Sequence, residues 1–116
     1  MTKDESQRYC LLASHAVELL QGKWKMQILC FVRWGPVRLG QLGRLMPSAS
    51  KKVLIENLRE LESHGLIVRR EFSGAIRHVE YDFSDTMRPA VVLLLDHLAE
   101  FGGLPLSHPE SGSVIS

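Results

Sequence analysis

Apolar positions along the chain fall into five stretches with helical spacing and two that alternate as strands do. Leu11, Leu12, Val17 and Leu19, with His15 among them, form the first helical stretch, which Gly22 closes. Trp24, Ile28, Leu29, Phe31 and Val32 recur at three and four residues and predict a second, largely buried helix. Gly35-Pro36 stops it. Val37 and Arg38 make a short extended link to a third helix of two turns, where Leu39, Leu42, Leu45 and Met46 precede Pro47. After the turn Pro47-Ser48-Ala49, the hydroxyl of Ser50 is placed to cap a fourth helix. Leu54, Leu58 and Leu61 line one face of that helix until Gly65. Two extended runs follow, Leu66 to Phe72 and Ile76 to Phe83, joined by Ser73, Gly74 and Ala75 as in a β-hairpin. In the second run Val79, Tyr81 and Phe83 face one way and His78, Glu80 and Asp82 the other. A last helix starts near Ser84 to Thr86, tolerates Pro89 in its first turn and ends at Gly102-Gly103.

This order predicts an α+β winged helix-turn-helix: a three-helix core, a hairpin wing, and additional N- and C-terminal helices for dimerisation. The domain is expected over residues 10–102, after a flexible segment at 1–9 and before an unstructured tail at 103–116. A chain of 116 residues fits one domain and leaves no room for a second, catalytic one. Its 45% hydrophobic and 23% charged residues are those of a folded protein rather than a disordered one. The longest apolar run, Ala90 to Leu95, is far short of the roughly 20 residues that span a bilayer. The N-terminus lacks the apolar core of a secretory signal, so a cytoplasmic location and no membrane partner are expected.

Charge sharpens the picture. The net of +1 hides nine Lys/Arg against five Asp/Glu between Arg33 and Tyr81, a local excess of four positive charges. That basic middle suits a polyanion. With its leucines turned inward, the fourth helix presents Lys52, Ile55, Glu56, Arg59 and Ser63 outward, flanked by Lys51 and Glu62. Lys52 and Arg59 are suited to guanine O6 and N7, Glu56 to cytosine N4, and an exposed Ile55 to a thymine methyl. Ser50 and Lys51, at the helix start, suit phosphates. Arg38 and Arg44 flank the same surface from the third helix, and Arg77, with Arg69 and Arg70, puts cations on the wing. An ordinary solvated helix would show the same wheel; its place just after a tight turn favours a reading role.

The last helix is apolar around more of its circumference than one small domain needs. Leu12, Val91, Leu94, Leu95, Leu98 and Phe101 are therefore expected to build a homodimer interface. Two-fold symmetry then predicts an inverted-repeat operator. No metal-ligand spacing, glycine-rich phosphate loop or nucleophile with a local base is present, so no cofactor, metal or enzymatic activity is expected. Cys30, inside the apolar second helix, reads as a packing residue. Cys10 reads as an accessible thiol whose thiolate a helix N-terminus or Arg8 would favour. The alternative function, a winged helix used only as a protein-interaction module, fits poorly with Lys51, Lys52 and Arg59.

Several motifs together carry a family resemblance. A cysteine lies about a dozen residues before GKWK at Gly22 to Lys25, followed by GPVR at Gly35 to Arg38 and S-x-K-x-L at Ser50 to Leu54. LRELESHGLIVRR at Leu58 to Arg70 and VEY at Val79 to Tyr81 complete the set. Over roughly Cys10 to Gly102 the chain resembles the HxlR-type winged helix regulators, with departures at Leu11, Leu39, Ile55, Ile76 and Arg77. The resemblance implies a sequence-specific regulator of transcription that binds double-stranded DNA as a dimer. It also implies an oxidant- or electrophile-sensing role for the cysteine at position 10, as in some relatives, and leaves room for a small-molecule inducer.

Overall fold

The computed structural model describes residues 1–104; most of the expected tail, residues 105–116, lies outside the described residues. The chain order is α1 (Lys3–Leu20), α2 (Lys25–Val32), α3 (Leu39–Leu45), α4 (Lys51–Ser63), β1 (Ile67–Phe72), β2 (His78–Phe83) and α5 (Arg88–Gly102). Each element coincides with a stretch of the apolar pattern, and α2, α3, α4 and the base of the hairpin place their apolar residues on one side of a shared core. Ile28, Leu29 and Val32 of α2, Leu42 of α3, and Leu54, Leu58 and Leu61 of α4 meet Ile67 and Phe83 from the base of the hairpin. Burying large aliphatic side chains in this way contributes about 1.5–3 kcal/mol each before entropy is counted.

The strands pair antiparallel from Ile67↔Phe83 at the base to Phe72↔His78 at the far end. Val37, between α2 and α3, adds a third partner by exchanging backbone hydrogen bonds with Tyr81 at 2.9 and 2.8 Å. This bridge ties the root of the wing to the entrance of α3. Gly65 ends α4 at φ +76°, a left-handed conformation that side chains disfavour, and the chain turns there directly into β1.

Three expectations are corrected. Residues 1–9 are not a loose lead-in, because α1 begins at Lys3; the Thr2 hydroxyl accepts from the Glu5 amide at 3.1 Å, and Asp4 and Glu5 sit favourably in the first turn. Asp82 does not face solvent with His78 and Glu80. It is buried, at 5% exposure, because two arginines reach it from outside the strand. Cys30 is exposed rather than packed, since α2 buries only Ile28, Leu29 and Val32.

α1 and most of α5 lie at the margin of this core. Not one residue of α1 is buried, and Tyr9, Leu11, Leu12 and Val17 are open to solvent, Leu11 at 71%. On α5 only Val91 and Leu95 are buried, so these two pack on their own core; Leu94, Leu98 and Phe101 remain exposed, as does Leu12. Val91 and Leu95 therefore support the interface that the sequence assigned to them only from behind. A narrow apolar groove of about 130 Å³ runs between α1 and α5, lined by Leu19, Leu20, Met87, Ala90 and Leu94 among others. Among the described residues no helix is long and apolar enough to cross a membrane.

Candidate nucleic-acid interface

α4 owes its position to a local bond and a buried face. The Ser50 hydroxyl accepts from the Val53 amide at 3.1 Å, which satisfies one of the amides that a helix start leaves without a partner. Lys51, Lys52, Glu56 and Arg59 then project to solvent, opposite the buried leucines. At α3, the backbone amide of Arg38 donates to the Gln41 side chain at 2.8 Å, leaving the Arg38 side chain free at the surface. Gly40 and Gly43 keep the outer face of α3 low, and a Cβ built on Gly43 would meet nothing within 4 Å. A depression of about 280 Å³ beside them is lined by Leu39, Ala49, Lys51 and Leu54. A partner can thus approach the backbone at the start of α4 closely.

The electrostatics separate the cations into two groups. Lys25 pairs with Glu60, Arg33 with Asp96, Arg69 with Glu71, and Arg70 with Asp82 and Asp85. These partners hold the Glu60, Glu71 and Asp96 carboxyls below their usual range, chiefly through the hydrogen bonds from Lys25, Arg69 and Arg33. Among the described residues no ion pair engages Arg38, Arg44, Lys51, Lys52, Arg59 or Arg77. These six lie on the helix-turn-helix and the wing tip; Lys3, Arg8 and Lys23, on and just after α1, are the other described cations outside an ion pair. Arg69 and Arg70, expected among the cations of the wing, are held by Glu71 and by Asp82 and Asp85.

Ile55 is half-buried rather than exposed. It lies in a hollow of about 420 Å³ with Leu39, Arg59, Glu62, Arg69, Val79 and Tyr81, so α3, α4 and the wing root form one continuous surface. At the far end of the wing the Phe72 and His78 rings stack at 4.9 Å and 12°, and His78 Nε2 lies 3.0 Å from Glu80. These contacts stiffen the hairpin up to a tip where Ile76, at 76% exposure, and Arg77 stand free.

The cysteines differ from expectation in a second way. Cys10 lies about two turns inside α1, exposed, so the amides of the helix N-terminus are out of reach. Partial burial pushes the Cys30 thiol up, which makes it the poorer nucleophile at neutral pH. Sequence reasoning missed the Asp82 cluster and the exposed Trp34, over whose ring the Arg33 guanidinium lies at 4.6 Å. Only the concentration of Arg and Asp between Arg70 and Arg88 hinted at the former.

A short helix, a tight turn, a second helix with an outward basic face and a hairpin beside it define a winged helix-turn-helix regulator of transcription. The comparisons with known proteins narrow this. Residues 19–108 match the family described as HxlR-like helix-turn-helix, and the chain belongs to that family. It is 37% identical over 98 residues to the uncharacterized HTH-type transcriptional regulator YtcD of Bacillus subtilis (strain 168), covering 84% of this chain and 77% of the relative. The crystal structure of YtcD superposes with a TM-score of 0.68 at 36% identity, over 78% of this chain and 92% of that one. The redox regulator HypR in its reduced form superposes with a TM-score of 0.64 at 27% identity, over 78% and 91%.

Proposed function

We propose that this regulator acts by binding duplex DNA as a homodimer, with α4 in the major groove and the wing against the neighbouring minor groove or backbone. One observation carries the reading: among the described residues no cation of the helix-turn-helix or the wing tip is held in an ion pair, whereas the strand and core-edge cations Lys25, Arg33, Arg69, Arg70 and Arg88 are neutralised; Lys3, Arg8 and Lys23, on and just after α1, are unpaired as well. An unengaged cation loses nothing on meeting a phosphate, whereas a paired one must first give up its carboxylate. Lys52 and Arg59 donate to guanine edges, Glu56 accepts from cytosine, and Ser50 and Lys51 hold phosphate at the helix start. Arg38 and Arg77 contact the backbone on either side. Ile55, half-buried, offers a thymine methyl only its outer edge. Action on chromosomal DNA sets the chain to work in the cytoplasm of a prokaryotic cell.

The exposed apolar faces of α1 and α5, including Leu12, Leu94, Leu98 and Phe101, support the dimer. An inverted-repeat operator follows from its two-fold axis. The solvent-open Cys10, together with the likeness to HypR, supports a second layer in which oxidation of that thiol alters DNA affinity.

The test is retardation of a duplex selected from random sequence. Affinity falls steeply as salt rises, because phosphate contacts release counterions. Lys52→Ala and Arg59→Ala each cost about 1–3 kcal/mol and relax preference at one base pair, whereas Arg77→Ala weakens all sequences alike and lowers the salt slope by about one. Variants that bind like the parent would exclude this face, and a fold that bound no DNA would be an interaction module.

A further inference from the structure

Asp82 is the buried charge that the DNA contacts leave unused. Its Oδ1 accepts from the Phe83 amide at 2.8 Å, and its Oδ2 accepts from Arg88 at 2.7 Å and Arg70 at 3.2 Å. Arg70 reaches on to Asp85 at 3.3 Å, and the Arg88 guanidinium lies 5.9 Å from the centre of the fully buried Phe83 ring. One carboxylate thus joins β1, β2, the turn after β2 and the first residue of α5. A buried ion cluster is weak support for stability, since apolar packing of equal volume does as well. What hydrogen bonds add is direction.

We propose that Asp82 is a positioning residue that fixes α5 against the wing root and thereby sets the half-site spacing that the dimer reads; this rests on the dimeric DNA-binding reading above. The hairpin is the covalent route from α4, which reads bases, to α5, which faces the second copy. Beyond its root α5 is held lightly, by the buried Val91 and Leu95 and by the exposed Arg33–Asp96 pair at 3.0 and 3.1 Å. Solvent screens that exposed pair. α5 is a lever of 15 residues, about 22 Å, so a tilt of about 9° at its root moves its far end by about 3.4 Å, the rise of one base pair. The direction fixed at Asp82 is thus converted into base pairs between two reading heads.

The half-site is first defined by selection with the parent from random DNA, and then presented as inverted pairs separated by spacers of graded length. Parent, Arg88→Gln, Arg88→Lys and Asp82→Asn are compared on these duplexes, with melting and sedimentation on the same preparations. The parent favours one spacer. Arg88→Gln and Asp82→Asn stay dimeric and keep the half-site sequence, but lose about fivefold or more of the discrimination against a spacer one base pair longer; Arg88→Lys recovers part of it. Folded, dimeric Arg88→Gln with the parent's spacer discrimination overturns the proposal. Arg88 is partly exposed, so this variant decides even if Asp82→Asn fails to fold. A parent that binds no paired sites overturns the underlying reading, and the proposal with it; failure of the proposal alone shows only in the variants.

Discussion

Ser50 contributes through a single hydroxyl, whose oxygen caps α4 beneath the residues that face DNA. Ser50→Ala is expected to cost about 1 kcal/mol, lowering Tm by roughly 4–8 °C for a domain of this size. Ser50→Asp keeps the cap, and so the Tm, yet sets a carboxylate against phosphate. Its DNA affinity falls while its melting curve does not, and melts run beside retardation assays check this. Asp96 gives a pH signature of opposite character. Arg33 depresses its carboxyl, so the pair stabilises the fold above the unfolded carboxylate pKa of about 3.9 and is lost as pH falls through the lower folded value. Asp96→Asn should therefore melt below the parent at neutral pH and converge with it in acid, below about pH 4. A gap that persists unchanged at pH 2 would place the effect elsewhere. At this scale Ser50 and the cations Lys51, Lys52, Arg59 and Arg77 are exposed, as their place in the sequence pattern implies. It misplaced Ile55, Cys30 and Asp82, because a side chain's burial depends on what other segments bring beside it.

Among the elements, α1 and α5 are the least satisfied. A helix of 18 residues without one buried side chain is poorly supported alone, since tertiary packing supplies most helix stability. A second copy would supply that packing. Replacing Leu94 and Leu98 together by Glu leaves the core intact, since neither side chain is buried, and is expected to shift the chain from dimer to monomer in sedimentation at micromolar concentration. Operator affinity should drop with it, as the two heads then bind independently. A parent that sediments as a monomer and binds one asymmetric site with full affinity would remove the dimer. The apolar pattern started the last helix near Ser84 to Thr86, a few residues before its observed start at Arg88, and ended it at Gly102-Gly103, but spacing alone could not divide its residues. Val91 and Leu95 turn inward and join the core that α2, α4 and the hairpin base build.

At the scale of the whole molecule, the thiol and the helix to which the proposed function gives regulatory and reading roles lie on different elements. Cys10 is on α1, and Lys52 and Arg59 are on α4. A mild oxidant is expected to change operator affinity in the parent and in Cys10→Ser's counterpart Cys30→Ser, but not in Cys10→Ser itself. An undiminished response in Cys10→Ser would clear that cysteine of the role.

The order of elements, the capped start of α4, the stops at Gly35-Pro36 and Gly65 and the basic middle were all legible in the sequence. Each depends on residues close along the chain: apolar periodicity, cap chemistry and local charge. Only the tertiary structure decided that Arg70 is not free, because Asp82 and Asp85 reached it once the strands paired; Arg69 found Glu71 two residues along its own strand. It alone brought Arg88 of α5 onto a strand carboxylate and left α1 without a buried side. Burial, and pairs such as Arg33–Asp96 and Arg70–Asp82, arise where segments apart in sequence meet in space, and no local pattern encodes which of them meet.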